Sequence, residues 1–133
     1  MVLVDSGAYI GSYSKNPYAF KDFGLNSLSF WVNDESVPGK SLALDTNSSV
    51  SAYDRLFDDE NQDSDIERSD FNLGYALYRF RYHPSSTYQP PPPAGNVKLM
   101  GAFATGLTGN ITLIIYSRFP SLMTIDHTRA ITI

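Results

Sequence analysis

The residues whose spacing could do chemistry lie in one acidic stretch. Asp59, Asn61, Asp63, Asp65, Glu67 and Asp70 fall at positions 1, 3, 5, 7, 9 and 12 of a twelve-residue calcium loop, with the apolar Ile66 at position 8. Oxygen donors so spaced can wrap a hard cation. Two positions spoil the pattern: Ser64 stands where the sharp turn needs glycine, and Asp70 is too short for the bidentate carboxylate expected of glutamate. The residues that follow read as a strand, where the motif requires a helix. The expectation is therefore a solvated acidic loop over residues 58–70 with no tight calcium site, Asp59, Asn61, Asp63, Asp65 and Asp70 being the ligands such a site would use.

Other chemistry is sparser still. His83 and His127 are the only histidines, and the one potential ligand close to either is Asp126, so a zinc site is not expected. A cupin-type enzyme would need inward-facing histidines clustered with a carboxylate, which two isolated histidines do not supply. Nucleophile elbow, phosphate-binding loop and dinucleotide fingerprint are all missing from the sequence. With no cysteine there is no disulfide, thiolate metal site or cysteine nucleophile. The chain is expected not to be an enzyme, to have no catalytic residue and to bind no cofactor. Two glycosylation triplets, at Asn47 and Asn110, matter only in a secreted protein.

Aromatic residues Tyr9, Tyr13, Tyr18, Phe20 and Phe23 punctuate a Gly/Ser/Asn-rich stretch. They suit either a loop that contacts carbohydrate or protein, or a meandering segment tucked under a sheet, and the second is preferred. The net charge of -4 and the scatter of the ten Lys and Arg argue against nucleic-acid binding, Arg79 and Arg81 being the densest pair. The first residues meet Asp5 at once, unlike a secretory leader, and no stretch approaches the roughly 20 apolar residues of a membrane helix, so a soluble chain is expected.

The elements that position these residues are mostly strands. Glu, Lys and Gln are scarce, while nine glycines and eight prolines join abundant Ser, Thr and Asn, which excludes a helical bundle. Residues 25–33 alternate, with Leu28, Phe30 and Val32 on one face and Ser27, Ser29 and Trp31 on the other. A turn over residues 33–36 should lead into a second strand at 40–45. Tyr53, Leu56 and Phe57 are spaced for one short helix over 50–57. Alternation returns over 74–83, with Ala76, Tyr78, Phe80 and Tyr82 on one side, predicting a strand. Residues 84–95, with four consecutive prolines, favour an exposed polyproline loop, with a proline-recognition ligand as the lesser reading. Strands are then expected at 96–105, 110–119 and 122–133. Both faces of 110–119 are apolar, as in a strand covered on each side. About seven strands with long connections fit an all-β, jelly-roll β-sandwich with one short helix and long loops.

Several stretches together resemble a family: GSYSKNPYAFKDF (11–23), VNDESVPGKSLALD (32–45), AYDRLF (52–57), IERSDFNLGYALYRF (66–80), GNVKLMGAF (95–103), NITLIIYSRF (110–119) and MTIDHTRAI (123–131). The chain resembles, over nearly its whole length, hexon-type double jelly-roll major capsid proteins of viruses, virus-like transposons and the animal genomes that host them. It departs from their pattern in Arg81, where the family has an acid, in the density of the acidic loop, and in ending at Thr132-Ile133 without an acidic tail. The resemblance implies that residues 1–133 form a single jelly-roll domain, the C-terminal half of a double jelly-roll protein whose further strands lie upstream of Met1–Val4. It implies a structural protein of the virion, whose partners are itself and other capsid chains, assembling as a homo-oligomer with a trimer favoured, and contacting neither specific nucleic acid nor membrane. The competing expectation is a lectin-like or receptor-binding β-sandwich using Trp31, Tyr13, Tyr18 and the acidic loop, with calcium assistance.

Overall fold

The computed structural model describes residues 1–44, 49–57, 65–81, 95–118, 124–125 and 131–132. Strand β1 (Val2–Asp5) runs into the short helix α1 (Ser6–Ile10), and β2 (Leu25–Val32) and β3 (Glu35–Ala43) form a hairpin. Helix α2 (Val50–Asp54) continues as one 3₁₀ turn (Arg55–Phe57), and α3 (Arg68–Gly74) follows. The remaining strands are β4 (Val97–Phe103), β5 (Ile111–Ile114), β6 (Thr124–Ile125) and β7 (Ile131–Thr132). They build two principal antiparallel sheets, β1-β5 and β3-β2-β4, and a separate two-residue ladder β6-β7. The described chain is thus mostly strand with a few short helices, consistent with an all-β sandwich.

The β2–β3 hairpin shows how residue chemistry sets register. Asn33 and Asp34 both have positive φ, 50° and 64°, and Val32 pairs with Glu35, which makes a two-residue turn of the mirror-image class that Asn and Asp tolerate best. The turn is tighter than the sequence suggests, and β3 starts five residues before the expected strand at 40–45. It nevertheless breaks register once: Leu28 pairs with Leu42 and Phe30 with Val37, so residues 38–41 oppose Ser29 alone. Pro38 lies in that irregularity, where the ladder does not need its missing N–H. On the other side of β2, the extra residue Asn26 turns Leu25 onto the same face as Leu28. Both are buried there, with Val32.

One hydrophobic cluster receives side chains from nearly every element. Leu3 comes from β1, Leu25 and Leu28 from β2, Leu42 and Leu44 from and just after β3, Ala52 from α2 and Phe71 from α3. Leu99 and Phe103 of β4 and Ile111 of β5 pack against it, so both sheets share the same core.

Three expected elements differ. Residues 75–81 form no ladder, because their backbone groups bond to partners in two places: Phe20 N–H donates to Gly74 O, Ala76 N–H to Phe20 O, and Tyr78 N–H to Met1 O. Isolated bridges Phe20–Tyr75 and Val2–Leu77 are what remains of the strand. The expected facing nevertheless holds, with Ala76 and Tyr78 buried and Arg81 exposed. Tyr82 lies outside the described residues. The second difference is that α1 and α3 join the single helix expected. In α1 the Asp5 carboxylate caps the free Ala8 N–H at 3.1 Å. In α3 Asp70 sits in the first turn, where the helix dipole favours an acid, and Phe71 anchors the helix in the core. Finally, of the expected strand 122–133 the described residues are Thr124–Ile125 and Ile131–Thr132, which pair antiparallel with each other as β6 and β7.

Candidate association surface

The acidic loop is described only at its end. Asp59, Asn61, Asp63 and Ser64 lie outside the described residues, as do His83, His127, Asn47 and most of the proline segment. Asp65 and Glu67 are exposed, and Asp70 is half-buried within α3. A helix does therefore follow this stretch, which removes one of the three objections to a calcium loop and leaves Ser64 and the short Asp70 standing. Among the described residues no group of three or more His, Cys, Asp or Glu could hold a metal ion. Among them, too, no helix is long and apolar enough to cross a membrane.

The aromatic stretch behaves differently from its preferred reading. Phe20 and Phe23 are half-buried, but Tyr9, Tyr13 and Tyr18 are exposed. The backbone that carries them is tethered at its base: Lys15 Nζ donates to both Asp5 carboxylate oxygens at 3.0 Å, and Asn16 Oδ1 accepts from Tyr18 N–H at 2.9 Å. The Lys15 hydrogen bond, reinforced by that from Ala8 N–H, holds the Asp5 carboxyl below its usual range. Trp31 stands apart from these tyrosines, half-buried on β2 between Ser36 of β3 and Lys98 of β4, and its indole N–H donates to Ser29 Oγ. The structure thus distributes the aromatic residues of the expected binding site over a loop and a sheet.

Of the two neighbouring arginines, Arg79 serves the fold. It donates to the Leu56 carbonyl at 3.1 Å, and Phe80 beside it stacks on Phe30 and has the Arg55 guanidinium 5.8 Å from its ring centroid.

What the described chain leaves open is apolar surface along strands. Sequence alternation made both faces of β5 apolar, and the expected cover is incomplete: Leu113, Ile115 and Tyr116 are exposed, the last at 85%. Among the described residues β5 pairs with β1 alone, Val2 opposite Ile114 and Asp5 opposite Ile111. Beyond that end, Ser6 N–H donates to Asn110 O and Ser6 Oγ meets Thr112 Oγ1 at 2.9 Å, which seats α1 against β5. Tyr9 and Ile10 on α1 are exposed as well. On the other sheet, Val97 and Met100 of β4 are exposed. Sequence reasoning passed over Ile10 and Met100, because single apolar residues on a short helix and an edge strand carry no periodic signal. Comparison with protein-family models, with curated proteins and with solved structures returns no match.

Proposed function

We propose that this chain is a structural capsid or capsid-like protein, a jelly-roll subunit that works by assembling with copies of itself and with other capsid chains in a virion. The observation that carries the reading is the row of exposed apolar side chains on and beyond β5: Leu113, Ile115 and Tyr116. Covering one such side chain is worth about 1.5–3 kcal/mol. Leaving several in water weighs heavily against the roughly 5–15 kcal/mol net stability of a domain this size, and covering them against a partner relieves that cost. Two antiparallel sheets around a shared core are compatible with the jelly-roll sandwich that the family resemblance implies. Closed symmetry, with a trimer favoured, repeats the patch on every copy without open fibres. The reading invokes no catalytic group and no cofactor. Electron microscopy of the concentrated protein tests it: closed particles or rings of uniform size are expected, and a field empty of any assembly counts against it.

A second reading, a lectin-like or receptor-binding module, is favoured by the exposure of Tyr9, Tyr13 and Tyr18. A glycan array read with and without calcium separates the two, since a defined sugar signal belongs to the module alone.

A further inference from the structure

The two edges of the three-stranded sheet are unlike. The β3 edge is broken by the 38–41 irregularity and carries Pro38 and Lys40, devices that deter a further strand. The β4 edge has neither an irregularity of its own nor a proline. Its seven residues pair with β2 without an extra residue of their own, and Lys98 is their only charge. Among the described residues no strand lies on its far side.

Backbone hydrogen bonds show which groups of β4 face outward. Asn33 N–H donates to Asn96 O, and Asn33 Oδ1 accepts from Asn96 N–H, so Asn96 points toward β2. By alternation residues 98, 100 and 102 also turn toward β2, while Val97, Leu99, Gly101 and Phe103 hold their N–H and C=O groups toward the open edge. We propose that β4 pairs antiparallel with β4 of a second copy about a twofold axis at Met100, making one continuous six-stranded sheet across two subunits. The inference rests on reading the chain as a self-assembling subunit, and supplies the twofold contact that would link trimers to one another.

Charge and register select this occupant. Only a register centred on Met100 uses all seven residues: Val97 then faces Phe103, Leu99 faces Gly101 and Met100 faces itself, with outward groups opposite outward groups. In that register each Lys98 lies opposite a neutral Ala102, and the two lysines are four residues apart along the strand, roughly 13 Å and beyond the screening length at physiological salt. Centred on Lys98 instead, the strands would overlap by three residues and set the two cations side by side. At the chosen centre the two Met100 side chains, each 49% exposed in one copy, cover one another.

The chain has no cysteine, so single cysteines report the register directly. Under mild oxidation by a copper–phenanthroline complex, Met100→Cys should cross-link to a dimer. Lys98→Cys and Ala102→Cys should each stay uncrosslinked alone and cross-link when mixed. Met100→Lys, which opposes two charges at the axis, should weaken association at least tenfold while Met100→Leu preserves it, with circular dichroism confirming that each variant is folded. Assembly that persists in native mass while Met100→Cys fails to cross-link overturns this pairing and spares the proposed function. A chain that is monomeric at every concentration overturns both.

Discussion

Replacing Phe71 by alanine probes the core at the point where helix α3 meets the sheets. Phe71 is fully buried, and its ring meets those of Tyr53 and Tyr78 edge-on, at centroid distances of 6.0 and 6.2 Å and interplanar angles of 86° and 89°. Truncating a buried phenylalanine costs about 3–5 kcal/mol in transfer and cavity terms, and two lost aromatic pairs place this site toward the upper end. Leu73, two residues on in the same helix, is 74% exposed, so Leu73→Ala should stay within about 0.5 kcal/mol of the parent. Urea unfolding followed by circular dichroism and by the single Trp31 measures both, at matched protein concentration because association adds to apparent stability. With an m-value of about 1–3 kcal/mol/M, the Phe71→Ala midpoint should fall by on the order of 2 M. Equal midpoints for the two variants would refute the docking of α3 into this core.

Other outcomes follow from the same contacts. A methyl group at residue 95 would displace the exposed Asn33 side chain that accepts from Asn96 N–H, so Gly95→Ala should cost about 0.5–1.5 kcal/mol in thermal or urea melts, the worth of that hydrogen bond, whereas Gly106→Ala, with open space around it, should be near neutral. Asp5 titrates low through its Lys15 partner, so its contribution is present above the normal carboxylate range and disappears as pH falls through its lowered pKa; Asp5→Asn should flatten that acid limb of a melting-temperature profile. Tyr78 is shifted the other way, upward by burial and by the Asp22 charge, so its contribution is full below the ordinary tyrosine value of about 10 and declines above it. Tyr78→Phe should lessen the alkaline loss. Calorimetry should detect no micromolar calcium binding; a tight signal abolished by Asp63→Ala would restore the calcium loop.

How much of this was legible depends on where each residue's partners lie. Local pattern located β2 and β4, one face of each being apolar at a period of two, and β5, a β-branched run apolar on both faces. The same alternation in 75–81 gave the right buried face and the wrong element, because Ala76 and Tyr78 bond to Phe20 and Met1, partners that no local pattern contains. Helix α3 was hidden by its composition: Ser69, Asp70 and Asn72 are weak helix formers, and what holds the helix is Phe71 in a core assembled from distant segments. The Asn33–Asp34 turn was visible in residue type, while its two-residue length depended on the register of the whole hairpin. For the candidate surface, the doubly apolar character of 110–116 could be read from sequence, but the exposure of Tyr9, Tyr13 and Tyr18 could not. A tyrosine suits a core and a wet surface equally, and the tether from Asp5 to Lys15 that shapes their loop reaches across α1 and the irregular turn after it.

Self-association is the claim on which the structural-protein reading stands, and static light scattering of the purified chain tests it most directly. The monomer mass is 14.8 kDa. Across a dilution series the account predicts a mass of about three monomers or more at high micromolar concentration, lost or reduced when Ile115 and Tyr116 are replaced by glutamate. A constant mass of one monomer throughout, with a cooperative melt that does not depend on concentration, would contradict it.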